Sequence, residues 1–172
     1  MRWTSIAVTT ACLSITAADA ASECTQYGEI SGTVRTVNLS PVLQYGVTGL
    51  AITKNGKPYF SGVGVIVGEV VTPTNEDGQS TLNHTIYFAD GTKLQTHLDT
   101  AQVLGPVPGK VNPDGTPCAF NVHESITDVT ADKKLKRLSI APPEEISADG
   151  TISFCSGENE NHFTLSGTVC FQ

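Results

Sequence analysis

The sequence predicts an all-β domain, an antiparallel up-and-down β-barrel of about eight strands, with a β-sandwich as the alternative. Three observations predict it. Two-residue alternation of apolar and polar side chains recurs along the chain while helical periodicity is almost absent. Turn dipeptides, Asn55-Gly56, Asp77-Gly78 and Asp90-Gly91, separate the alternating runs. One long run carries Gly62, Gly64 and Gly68 on a single face, and glycines placed so mark sharp curvature or close approach of another backbone. Curvature of that kind bends a sheet into a barrel.

The elements follow in order. Ile30, Gly32 and Val34 alternate with polar neighbours and form the first strand. Gly49 to Thr53 leads into the tight turn at Asn55-Gly56, since both residues tolerate positive φ. Tyr59 to Val71 is the glycine-bearing strand. Leu82, His84, Ile86 and Phe88 line one face of the next, and Leu94, Thr96 and Leu98 line one face of the strand after Asp90-Gly91. These three make an antiparallel meander. Gly105 to Pro117 is rich in Pro and Gly and reads as a surface loop within one domain. Phe120, Val122, Glu124 and Ile126 form another alternating face. Lys133 to Ile140 reads as a short strand stopped by Pro142-Pro143, and its basic residues Lys133, Lys134, Lys136 and Arg137 as protection of an exposed edge. Asp149-Gly150 leads into Ile152 and Phe154. Gly157 to Asn161 turns the chain into Phe163, Leu165, Val169 and Phe171. The tetrad Ser-Gly-Thr-Val occurs at Ser31 to Val34 and again at Ser166 to Val169, as expected of neighbouring strands that close a barrel.

The N-terminus reads as an export signal. Arg2 precedes an uncharged stretch from Trp3 to Ala18, and Ala18-Asp19-Ala20 suits cleavage before Ala21. Residues 1–20 are therefore a signal peptide and 21–172 one domain, secreted or periplasmic. Cys12 is a poor lipidation site and leaves with the signal. Four cysteines remain, an even number in an exported chain, which reads as two disulfides. In the last hairpin, turning near Asn159, Cys155 faces about His162, eight residues short of Cys170. That offset is about 26 Å at strand rise, beyond disulfide reach. Two connectivities remain, and if the first and last strands close the sheet antiparallel, Cys24 and Cys170 fall at the same end, which favours Cys24–Cys170 with Cys118–Cys155. Strand counting puts Cys118 at the opposite end from Cys155, so Cys118 has to reach across from its loop.

A net charge of −7 argues against general nucleic-acid binding or adhesion to an anionic membrane. No apolar stretch in the mature chain is long enough for a membrane helix. The four histidines fall on different strands with no pair at ligand spacing, so no metal site is predicted. Glu158, Glu160 and His162 read as a solvated acidic turn, the alternative being a hard-cation loop. Asn83-His84-Thr85 fits a glycosylation sequon but falls inside a strand. No phosphate-binding loop or nucleophile elbow occurs, and no cofactor is expected.

His84 and Glu124 are the ionisable residues on otherwise apolar faces. Each costs several kcal/mol inside a barrel unless it is paired or hydrogen-bonded. They are the candidate acid/base residues, and with Phe88 and Phe120 the candidate ligand contacts; the plain alternative makes them polar groups near strand ends. The stretch Gly62 to Thr96, with Gly-x-Gly-x-x-x-Gly, Asp77-Gly78, Leu82, Ile86-Tyr87-Phe88, Asp90-Gly91 and Leu94, resembles the central hairpins of dirigent proteins and allene oxide cyclases. The resemblance implies a secreted or organellar eight-stranded barrel whose apolar cavity guides reactive small molecules without a cofactor. No catalytic residue of those families carries over.

Three functional readings follow. The leading one is a non-enzymatic exported barrel that binds an apolar small molecule or a partner surface. The second is a cofactor-free cyclase or isomerase using Glu124 and His84. The third is a structural or cell-surface module with a packed core. Substrate and oligomeric state are not encoded in any motif.

Overall fold

The computed structural model describes residues 24–140 and 143–172. The export segment 1–20, its cleavage point, Cys12 and Pro142 lie outside the described residues. The fold is all-β and antiparallel, with eleven strands and a ring that runs through eight of them. The strands are β1 (Gln26–Ser40), β2 (Leu43–Lys54), β3 (Lys57–Thr72), β4 (Gln79–Phe88), β5 (Lys93–Thr96), β6 (Asp99–Pro106), β7 (Ala119–Ile126), β8 (Val129–Ala131), β9 (Leu138–Ser139), β10 (Ile146–Ser153) and β11 (Glu160–Phe171). Neighbours around the ring run β3-β2-β1-β11-β10-β7-β6-β4, and β4 pairs back onto β3. A sheet that returns to its own first strand has no free edge there, so a sandwich is excluded.

The ring closes at β1 and β11, where the two Ser-Gly-Thr-Val tetrads meet: Ser31 pairs with Ser166. The glycine face of β3 points inward, because Phe60, Gly64, Ile66 and Gly68 are buried while Val63 is exposed. Side chains from β4 lie over those glycines. A Cβ on Gly64 would stand 2.9 Å from Ile86, and one on Gly68 would stand 3.0 Å from the ring of His84. Close approach, more than turn geometry, is what these positions require.

The main apolar core, including Ile30, Ile52, Phe60, Phe88, Leu138 and Phe171, fills the end of the ring that carries Cys170. Cys24–Cys170 pins that end, with Cα atoms 5.4 Å apart, and Cys118–Cys155 pins the other, at 4.8 Å. Two disulfides fit an oxidising environment. Among the described residues, no helix is long and apolar enough to cross a membrane.

Several sequence expectations need correction. Lys133 to Ile140 is not a ring strand: Lys133–Leu135 is a 3-10 turn and only Leu138–Ser139 pairs, with the end of β11. Its lysines therefore protect no strand edge; Lys134 instead pairs with Asp90 at 3.0 Å. Without that strand, β7 pairs directly with β10 and Ala119 sits opposite Ser153. Cys118 and Cys155 thus fall at the same end, and Cys118 reaches across nothing. Asp149 and Gly150 lie within β10, and Phe154 is exposed beyond it. Thr151, not Cys155, faces His162. β6 is an additional strand, so the Pro/Gly loop begins after Pro106. Leu98 does not continue the inward face of β5 but is 62 % exposed at a reversal of the chain.

Candidate functional site

The ring is not solidly filled. A cavity of about 440 Å³ occupies its middle and reaches the Cys118–Cys155 end, where Pro41, Thr74 and Phe154 of the lining are exposed. Its wall is mostly apolar, with Ile30, Val34, Leu50, Ile66, Ile86 and Leu165 among its residues. Phe120 lines it as expected. Phe88 does not; it packs edge-on against Phe60 in the core, ring centres 4.9 Å apart.

Into this wall β4 and β7 project His84 and Glu124, on the inward faces that alternation assigned them. The structure brings them together: His84 Nδ1 is 3.2 Å from Glu124 Oε1. It also adds a third member, Asp99, whose Oδ2 is 2.9 Å from the same nitrogen. Asp99 is fully buried and Glu124 is 6 % exposed. Thr96 completes the group, donating its hydroxyl to Asp99 Oδ2 and accepting the backbone N–H of His84 at 3.1 Å.

Asp99 reaches this position through a break in the sheet. β4 pairs with β5 through Thr85 to Tyr87, then with β6 through Gln79 to Leu82. Between them the chain reverses at His97-Leu98, with Leu98 at φ 55° and its N–H donated to Asn83 Oδ1 at 2.8 Å. The reversal sets Thr96 and Asp99 side by side opposite His84. The signal available in the sequence was the alternation Asp99, Ala101, Val103, which begins where no Gly or Pro announces a new strand.

The electrostatics are short of one positive charge. His84 carries a single Nδ1 position toward two carboxylates, and its hydrogen bond goes to Asp99. Glu124 Oε1 and Asp99 Oδ1 are buried with no hydrogen-bond partner. Burial pushes the Glu124 carboxyl above its ordinary value; His84 opposes this, and Asp99 adds to it. Burial works against a charged His84, yet Glu124 and then Asp99 outweigh it and raise the imidazole. Nε2 makes no hydrogen bond to any described residue; with Cδ2 it lies over Gly68. A ring nitrogen held by a carboxylate on one side and free on the other can take or give a proton to a molecule in the cavity.

Thr36, Asn38 and Gln44 also line the cavity, and Asn161 beside them ties two of the three together. Asn161, fully buried, donates to Thr36 Oγ1 at 3.1 Å and Asn38 Oδ1 at 2.9 Å, and Thr36 donates to Gln44 at 3.3 Å. Sequence reading missed this group, because Thr, Asn and Gln on a strand give no sign of facing in.

The remaining histidines lie elsewhere. His123 pairs with Asp149 at 2.7 Å, and His97 meets Thr130 at 3.3 Å. Glu158 is bound by Lys110 and Glu160 by Arg35 at 2.8 Å, so that acidic turn is occupied by cationic side chains, and His162 lies 3.3 Å from Glu160. Asn83 of the sequon accepts the Leu98 N–H from within β4. Comparison of the chain with family profiles and with curated proteins finds no match.

Proposed function

We propose that this is an exported protein whose ring takes up an apolar small molecule bearing one polar group, and that His84, oriented by Asp99, and Glu124 receive that group. The observation that carries the reading is the placement of His84 and Glu124 in the wall of a mostly apolar cavity of about 440 Å³, with the fully buried Asp99 bonded to His84. That volume lies in the range of small-molecule sites, and apolar walls with a few convergent polar groups are their usual make-up. Burying two carboxylates against one imidazole gives no evident return in stability. The unfilled interior speaks against a module whose core is simply packed. The likeness of Gly62 to Thr96 to dirigent and allene oxide cyclase hairpins points the same way.

A second reading, proton transfer in a cofactor-free cyclisation or isomerisation, is favoured by one specific feature. His84 Nδ1 is held by Asp99 while Nε2 is unpartnered, so the imidazole is oriented as a general base or acid is oriented. Native mass spectrometry of protein purified from its source tests the first reading: a co-purifying molecule of a few hundred daltons is expected, absent after Ile66→Trp fills the cavity. Protein that is ligand-free and takes up no apolar fluorophore would count against both readings. Turnover lost in His84→Ala with binding kept would distinguish chemistry from carriage.

A further inference from the structure

We infer that His84, Asp99 and Glu124 form a binding site for one divalent first-row transition-metal ion, with open coordination positions on the cavity side. The inference goes beyond the reading above, which needs no metal.

The first support is geometric. One donor atom from each residue can be chosen so that all lie within 4.8 Å of one another. The separations of 2.9 Å from Nδ1 to Asp99 Oδ2 and 3.2 Å to Glu124 Oε1 suit shared ligation. Donors bound to one ion at about 2.0–2.2 Å stand roughly 2.9–3.5 Å apart at angles between 90° and 110°.

The second support is independent of the clustering. Glu124 Oε1 and Asp99 Oδ1 are buried and lack hydrogen-bond partners. A proton on Nδ1 lies between one nitrogen and one oxygen and leaves the second carboxylate uncompensated. A dication that replaces that proton faces both carboxylates and the nitrogen lone pair at once.

The donor set selects the ion. One imidazole with two carboxylates suits Zn²⁺, Mn²⁺ or Fe²⁺, whereas Ca²⁺ takes six to eight oxygens. Three protein ligands leave room for water or an oxygen of the bound molecule, as in catalytic zinc sites. The ligands come from three strands, β4, β6 and β7, and Thr96 orients Asp99 through its hydroxyl, so the donors are held before the ion arrives.

Zinc ion alone is the probe. Protein stripped with a chelator and titrated with Zn²⁺ by calorimetry should bind one ion per chain with micromolar or tighter affinity, and excess Ca²⁺ should not displace it. Glu124→Gln should weaken binding at least tenfold and His84→Ala should abolish it. His123→Ala, on the outer surface, should leave it unchanged. Circular dichroism establishes that each variant is folded, and the His84 ring resonances of the wild-type chain should shift on saturation. Absence of stoichiometric binding by the wild-type chain would overturn the inference, with a proton then held where the ion is placed. So would unchanged affinity in folded Glu124→Gln. Uptake of an apolar molecule by chelator-treated protein bears on the proposed function alone, so the two can fail separately.

Discussion

His84 Nδ1 lies 3.2 Å from Glu124 Oε1, yet its hydrogen bond goes to Asp99 Oδ2, 2.9 Å away. Glu124 Oε1 is thus left without a hydrogen-bond partner, as is the second oxygen of Asp99. Glu124 acts on His84 by charge, and on Asp99 by charge and through a side-chain hydrogen bond. It raises the imidazole, while burial raises its own carboxyl. The cluster holds its protons more tightly than the separate groups would.

That has a consequence for stability against pH. Glu124 and His84 both have folded values above their ordinary 4.5 and 6.5, so the folded chain binds more protons than the unfolded chain over those windows. Stability then falls as pH rises, first above 4.5 and again above 6.5. On the acid side Asp90 works the other way: the Thr92 N–H and Lys134 hold it at about 2, so its contribution is lost as pH falls below 3.8. The melting temperature should peak in mildly acid buffer and decline from pH 5 to pH 8. Glu124→Gln should flatten the decline and, at pH 8, be more stable than wild type by about 1 kcal/mol, since it removes a buried unpaired charge. The difference between the two should shrink as pH falls toward 4.5, since the raised Glu124 carboxyl regains its proton in that direction. A wild-type melting temperature that rises between pH 5 and pH 8 would refute the assignment.

How much of this was legible in the sequence differs by residue, for physical reasons. His84 and Glu124 were readable because each interrupts an apolar face of strict two-residue period, and a ring interior enforces that period. Asp99 was not, because the reversal before it is made by Leu98 in a left-handed conformation where Gly or Asn is usual. Lys133 to Ile140 was misread although Leu135 and Leu138, both buried, are three apart, a spacing that fits a helical turn and not a strand. One wrongly counted strand inverted the end expected for Cys118, while the pairing Cys118–Cys155 holds, because it follows from the antiparallel closure of the first and last strands, which joins Cys24 to Cys170.

The ring also depends on close backbone approach, and two glycines separate this from mere flexibility. At Gly150 in β10 an added Cβ would overlap the carbonyl oxygen of His162 and come within 2.7 Å of the Phe163 Cα, both backbone atoms of β11. At Gly49 in β2 it would meet nothing within 4 Å. Gly150→Ala should therefore destabilise by about 3 kcal/mol, the upper part of the range for overpacking. Gly49→Ala should be neutral or stabilise by about 0.5 kcal/mol, since it restricts only the unfolded chain. Urea unfolding of the two variants at one pH decides it, and equal effects would mean that β10 and β11 are not in this register.

Leu98 holds the turn that places Asp99, and it does so at φ 55° with its side chain 62 % exposed. A left-handed backbone costs an ordinary L-residue about 1–2 kcal/mol, and asparagine much less. The exposed side chain returns little burial to offset this. The hydrogen bond from the Leu98 N–H to Asn83 Oδ1 uses only backbone at position 98, so it survives substitution there. Leu98→Asn should accordingly stabilise the chain by about 1 kcal/mol and leave the His84 titration unchanged. Asn83→Ala removes the acceptor and should destabilise by about 1 kcal/mol. Because that bond spans the junction between β5 and β6, its loss should also loosen Asp99 and lower the His84 pKa. Paired chemical unfolding and histidine NMR titration read both quantities. If Leu98→Asn destabilised the fold, the side chain would be making contacts that its exposure denies; if Asn83→Ala left His84 unmoved, Asp99 would be held by Thr96 and its strand alone.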